Sequence, residues 1–357
     1  MLTIERYIIS EVRRPVTMMV GFLTFVFASY SAERYLTEAA NGTLALGVVL
    51  DIVFYKVLIA LEMLLPVGLY ASVAIALGRL YNDSEITAIL ASGASPLRIY
   101  RAILIIATPL ALAVAALSFY GRPWAYTQTY QLEQQSRSDL DVSHLQAQRF
   151  NLNDDNGRMI LAQHIDPDTN QLTDALIYDP TEGKSRVLRA NVATITDPDP
   201  TTPALTLQQG TSYTLEHRGS KDSTLNYKAL LLHLKPVEPT DESKRKSTPS
   251  ATLAMSAMPQ DKAELQWRES RGLNAILMAL LAVPLSRTAP RKGRFSTLLP
   301  IAILFTVIFY AGNLCRTLVA NTALPLIPGL WLVPLLMLVG LGALMARDLR
   351  LLPRFSR

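Results

Sequence analysis

The chain has 357 residues, half of them apolar, only 18% of them charged, and a formal net charge of +5. Soluble domains carry about 25% charged residues, and here the charges leave 15–32, 102–121, 295–315 and 317–346 empty. About twenty apolar residues cross a bilayer core as a helix, so the composition excludes an ordinary soluble domain and makes a nucleic-acid partner a poor explanation of the basic charge. The one cysteine, Cys315, excludes an intrachain disulfide.

Taken in chain order, the first expected span is roughly 15–36. Arg13 and Arg14 precede it as in a signal peptide, but no Ala-x-Ala follows. The run is also longer than the ~7–15 residues of a signal-peptide core, so it reads as a retained anchor. The second span is roughly 55–78 and is interrupted by Glu62.

A short polar stretch, "NDSEITAILASGAS", comes next. Asn82 is placed to cap a helix, with Glu85 completing a capping box. Ile86, Ile89 and Leu90 fall on one face. Gly93 suits the left-handed residue that ends a helix, and Pro96 follows. A helix over about 82–93 is expected, presenting Asp83, Ser84 and Glu85. Isolated helices this short are marginal in water. It either caps the turn between two spans or docks on another protein.

The third span is roughly 101–121, with Pro109 as a kink. A polar block, 122–262, reads as β. Its runs "RMILAQHI", "DALIYDP", "SRVLRANVATITD", "PALTLQQG", "TSYTLEHRG" and "TLNYKALLLHLKP" are short and separated by turn residues. A sandwich or jelly roll is expected, its apolar interior drawn from Phe150, Ile160, Ile177, Val192, Ile195, Leu207 and Leu215. Residues from about 236 to 260 read as a mobile linker. Spans four to six fall at roughly 263–286, 295–316 and 328–346. The expected fold is thus membrane α-helical plus β, with three helices (1–121), a β domain (122–262) and three helices (263–357).

Short loops rich in Lys and Arg stay in the cytoplasm. Arg6, Arg13, Arg14, Arg79, Arg98, Arg101 and the basic groups within 287–294 and 347–357 fall on one side. Arg34, Lys56 and Arg316 fall on the other. Both termini and the short helix are therefore expected in the cytoplasm, and the β block outside.

Local catalytic motifs are missing. No G-x-x-x-x-G-K-[ST] phosphate loop occurs, so the chain is not expected to hydrolyse ATP. His144, His164, His217 and His233 show no metal-ligand spacing. Ionisable groups within spans are functional candidates, and Glu62 could reach water or pair with Lys56 or Arg316. Glu264 and Arg268 stand at i, i+4, a pairing distance, and Trp267 and Arg268 suit an interfacial anchor.

Several stretches resemble the lipopolysaccharide-export permeases, the F-type and G-type subunits of an ABC exporter. They are "ERYIISE", "LPVGLYASVAIALGRLYNDSEITAILASG", "AELQWR" and "VPLSRTAPRKGR", and they cover essentially the whole chain in order and spacing. The Arg-Tyr start and the "SEIT" wording lean toward the F-type branch. The resemblance implies a bacterial inner-membrane transporter subunit that extracts lipopolysaccharide and passes it to a periplasmic bridge protein. It implies a homodimeric ABC ATPase partner holding ATP and Mg, a paralogous G-type permease and a single-span membrane partner, with no cofactor bound by this chain. Asp83, Ser84, Glu85, Ile86, Ile89, Leu90 and Gly93 match the ATPase-coupling helix, with Glu85 as the engaging acid. Arg34 and Arg316, with Lys56 nearby, match basic positions of a lipid gate. Two other readings share parts of this layout. One is a different ABC permease, of lipoprotein release or efflux, and the other is an envelope-assembly scaffold without transport.

Overall fold

The computed structural model describes residues 3–40, 44, 46–138, 147–153, 157–166, 169–181, 184–197, 204–216, 222–233, 241–287 and 295–348. Two compact units emerge. One comprises Met1–Ser31, Val53–Gln128 and Asp241–Arg357, the other Ala32–Ile52 and Thr129–Thr240.

The first unit is helical. Its elements are drawn from α1 (Thr3–Ala40), α2 (Leu46–Asn82), α3 (Glu85–Ala91), α4 (Leu97–Ala116), α5 (Arg122–Ser138), α6 (Asp241–Ser247), α7 (Ser250–Met255), α8 (Pro259–Leu285), α9 (Phe295–Ala320) and α10 (Leu332–Asp348). Ile8, Leu69, Val73, Ile103, Ala279 and Ala282 sit fully inside a shared apolar core. Close approach depends on small residues. A Cβ on Gly272 of α8 would lie 3.1 Å from the Ala111 carbonyl oxygen and from the Ala115 Cβ of α4.

Among the described residues, four helical stretches are long and apolar enough to cross a membrane: Thr3–Ala40, Leu97–Glu133, Leu299–Ala320 and Gly329–Arg347. They carry expected spans one, three, five and six. The second lies inside α2 and the fourth inside α8, whose first half holds Glu264, Arg268, Glu269 and Arg271. The expected count of six therefore stands at four by length and composition.

Two expectations need correction. Residues 122–138, assigned to the β block, are helical. α4 passes through one π turn, Leu117–Gly121, straight into α5. Pro123 is part of the cause: it has no N–H to offer the Phe119 carbonyl four residues back, and the Ser250 hydroxyl donates there instead at 3.0 Å. The expected mobile linker is also helical, over α6 and α7, with Leu253 buried. Residues 236–240 lie outside the described set.

The second unit carries β1 (Asn151–Asn153), β2 (Arg158–Asp166), β3 (Gln171–Thr181), β4 (Lys184–Asp197), β5 (Ala204–Glu216) and β6 (Ser223–His233). They form one antiparallel six-stranded sheet in sequential order. The expected two-sheet sandwich or jelly roll is thus, among the described residues, a single meander with one core. From β2 to β6 the ladder skips one row, Gln163, Asp174, Asn191, Gln209 and Lys228. Asp174 and Gln209 hold positive φ there, 49° and 50°.

Side chains in a strand alternate with period two, yet Ala162 and Ile165, Leu172 and Ala175, and Ala190 and Ala193 all meet the same core. Each strand therefore spends one extra residue at this row, which creases the sheet while keeping one face inward. Of the interior residues expected, Ile160, Ile177 and Leu207 are buried, Val192 is half-buried, and Phe150 and Leu215 are exposed. The Ile195 side chain, with His144 and His217, lies outside the described set.

Candidate functional site

The short acidic helix exists, but it is built differently from the expectation. α2 runs on through Asn82, so Asn82 is the last residue of that helix and not the N-cap residue of the next. The chain reverses at Asp83 and Ser84, with the Ser84 amide donating to the Tyr81 carbonyl at 3.0 Å. Ser84 stands at the N-cap with φ 61° and makes no side-chain cap. Glu85 is consequently the first helical residue, too early to close a capping box. Its carboxylate turns to α1 instead, where the Tyr7 hydroxyl donates to Glu85 Oε2 at 2.5 Å.

The remaining residues of α3 divide by face. Ile86 is fully buried, Leu90 packs on the same core, and Ile89 is half-buried. Asp83, Ser84, Thr87, Ala88 and Ala91 face outward. Gly93 follows with φ 89°, and its amide donates to the Leu90 carbonyl at 3.1 Å. The start of α1 also reaches α4, where buried Glu5 meets Arg101 at 3.8 Å. α3 is thus a seven-residue knob with small outward side chains and an acidic rim, held on its inner side by α1.

Elsewhere in the first unit a buried ionic cluster joins α2, α5, α8 and α9. Glu62 pairs with Arg122 at 3.4 Å and Arg271 at 3.2 Å, and accepts from the Ser118 hydroxyl at 3.0 Å. Glu264 pairs with Arg122 at 3.3 Å, Arg268 at 3.2 Å and Arg316 at 2.7 Å. The Arg271 guanidinium lies 3.6 Å over the Trp267 ring, and that of Arg316 lies 5.3 Å from its centroid. Arg268 is wholly buried and donates to the carbonyls of Thr248 and Lys246 at 2.9 and 3.0 Å and to the Ser250 hydroxyl at 2.9 Å. This clamp explains why α6 and α7 are ordered against α8.

Of the expected partners of Glu62, neither Lys56 nor Arg316 is its ion-pair partner among the described residues. The Arg122 and Arg271 that pair with it lie far along the chain, and no local spacing announces them. The Glu264–Arg268 pair does form, as its i, i+4 spacing suggests, but it is a buried pair with a second task. Arg34 is exposed on α1 and pairs with Glu38 at 3.3 Å. Lys56 is half-buried on α2. Arg34 belongs to the second unit, Lys56 and Arg316 to the first.

Comparison with known proteins comes down on one family. The profile described as "Lipopolysaccharide export system permease LptF/LptG" matches residues 6–347. The chain is similar to lipopolysaccharide export system permease protein LptF of Escherichia coli strain K12, 25% identical over 311 residues, covering 86% of this chain and 84% of the relative. The LptF proteins of Escherichia coli O157:H7 and Shigella flexneri match to the same extent.

Proposed function

The chain belongs to the lipopolysaccharide export system permease LptF/LptG family, and from that premise we propose that it is the F-type permease subunit of an ABC exporter. In this reading it sits in a bacterial inner membrane with its termini in the cytoplasm and its β domain in the periplasm. It draws lipopolysaccharide from the bilayer and passes it to a periplasmic bridge protein. The matches to LptF proteins support the F-type assignment.

Fuel comes from a separate dimeric ATPase that grips α3. The observation carrying this is the build of that helix. Ile86 and the Tyr7–Glu85 hydrogen bond fix its inner side, while Asp83, Ser84 and the small side chains of Thr87, Ala88 and Ala91 face outward. An acid held at a fixed place can receive an Arg of a partner in a charge-assisted pair. A paralogous G-type permease and a single-span membrane protein complete the assembly.

Removing a multi-acyl lipid from a bilayer costs ~0.8 kcal/mol for each buried CH₂, so ATP must drive the step. Arg34, Arg316 and Lys56 are the basic groups proposed for the gate, where they would meet lipid phosphates. Arg316 would then have to exchange Glu264 for the lipid.

The test is affinity purification in mild detergent, with identification of co-eluting proteins and lipid, for the wild type and for Glu85→Lys. Co-elution of an ABC ATPase with the wild type and its loss with the variant are expected, together with loss of ATP-driven lipopolysaccharide release. Normal assembly and transport by Glu85→Lys would remove the coupling role. Unchanged lipid crosslinking after charge reversal at Arg34 and Arg316 would remove the gate assignment.

A further inference from the structure

We infer that α7 and the turn after it lie in the headgroup–acyl boundary of the bilayer, with Met255 and Met258 in contact with lipid. Three independent observations lead there.

The first is composition. Residues 247–260 carry no charge, unlike the basic α6 before them. Leu253 is buried, and Ala251, Thr252, Ala254, Met255, Ala257 and Met258 face outward. Met255 is 89% exposed and Met258 63%. Water-facing peptide of this kind would be expected to hold charges, whereas a lipid-facing surface would not.

The second is depth. The Ser250 hydroxyl is bonded to the Phe119 carbonyl, and the Thr127 hydroxyl to the Ser247 carbonyl at 3.4 Å. These contacts fix α7 beside the join of α4 and α5, where Tyr120 and Trp124 stand 79% and 49% exposed. Outward Tyr and Trp at the end of an apolar helix mark the membrane–water interface. α7 shares that level.

The third is the direction of the polar groups. Ser256 donates to Asp261 at 2.6 Å, Lys262 to the Ala254 carbonyl at 2.6 Å, and Arg268 to Ser250 and the Thr248 carbonyl. Hydrogen bonds turned toward α8 leave the opposite surface uncharged and, Thr252 apart, apolar, the arrangement of an interfacial segment. The occupant is therefore lipid. The inference needs only that the chain crosses a membrane, not the side on which α7 lies, so it stands apart from the coupling role of α3.

Spin labels at single cysteines test it. The full chain, with Cys315 replaced by Ala, would carry Met255→Cys, Met258→Cys or, as an aqueous control, Ser223→Cys. Each is purified with its co-eluting subunits and placed in phosphatidylcholine–phosphatidylglycerol nanodiscs. Collision with oxygen, which concentrates in lipid, is compared with collision with a water-soluble nickel chelate. The ratio of oxygen to nickel collisions should be several-fold higher at 255 and 258 than at 223. Ratios equal to the control would place α7 in water and overturn the inference. Labels shielded from both reagents would show that protein covers the face, and would overturn it equally. Substitution at residues this exposed leaves the fold intact, and a matching thermal unfolding profile checks that.

Discussion

Removing the Glu264 charge should damage this protein far more than removing Arg316, although the two are partners. The buried cluster holds Arg122, Arg268, Arg271 and Arg316 against Glu62 and Glu264. Glu264→Gln strips three guanidiniums of their shared counter-charge and leaves Glu62 as the cluster's remaining carboxylate. Loss of one partner from a buried pair costs about 3–5 kcal/mol. Arg316→Gln takes away a cation whose side chain is 21% exposed, and Glu264 keeps Arg122 and Arg268. Because Glu264 is left with two cations, the loss should be the smaller one, about 1.5–2 kcal/mol. The double variant lowers the surplus of cations again and should recover part of the Glu264→Gln loss, since groups in one network do not add. The assay is unfolding half-life at a fixed raised temperature, read from tryptophan fluorescence. Trp267, one of three tryptophans, lies within 3.6 Å of the Arg271 guanidinium and 5.3 Å of that of Arg316, and reports the site. Equal damage from the two single variants, or a double variant worse than Glu264→Gln, would refute the charge-surplus reasoning.

Three further outcomes are expected. Tyr7→Phe deletes the hydrogen bond to Glu85, worth about 1 kcal/mol at an exposed site; hydrogen exchange over 86–92 should quicken about fivefold, and unchanged exchange would show that the apolar packing of Ile86 and Leu90 holds α3 without it. Gly210→Ala should destabilise the sheet by about 3 kcal/mol, because the new Cβ would collide with the Arg189 carbonyl and the Tyr227 hydroxyl; limited proteolysis of the second unit reads this. Arg268→Lys keeps a charge but cannot span the carbonyls of Lys246 and Thr248 together; trypsin should then cut faster at Lys244 and Arg245, and an unaltered cutting rate would show that α6 needs no clamp.

How much was legible depends on whether the signal was local. The charge-free runs pointed to α1, α4, α9 and α10, because hydropathy over about twenty residues is a property of one segment. Gly93 was legible for the same reason: ending a helix is a local task. Gly210 was not. It reads as a turn between "PALTLQQG" and "TSYTLEHRG", yet β5 runs through it. The Tyr227 side chain from the neighbouring strand lies against it and donates to the Arg189 carbonyl at 2.8 Å, so the absent side chain is filled from another strand. Counting that glycine as a break also favoured many short strands, hence two sheets rather than one creased sheet. The ionic cluster was hidden more deeply, since Glu62 and Arg271 meet only once α2 and α8 have packed. Arg268 shows the consequence, for its clamp on α6 and α7 makes a helix pair of a stretch whose composition alone reads as a linker.

Under the proposed coupling, the start of α1 is the route by which a grip on α3 would reach the membrane. Tyr7 touches α3 and Glu5 touches α4, while Ile8 and Val12 share the core with Ile86, Ile99 and Tyr100. An exposed hydrogen bond is worth about 1 kcal/mol, whereas freeing even a few acyl carbons costs several times that at ~0.8 kcal/mol per CH₂. The Tyr7–Glu85 bond is therefore too weak to carry the load. It would set the angle at which α3 meets the proposed ATPase, while the load of the proposed coupling would have to pass through close-packed side chains, which yield little under strain. On that reasoning, Ile86→Ala should uncouple ATP hydrolysis from lipid release more completely than Tyr7→Phe. The reverse order, measured as lipid released per ATP in proteoliposomes, would place the force path in the polar contact instead.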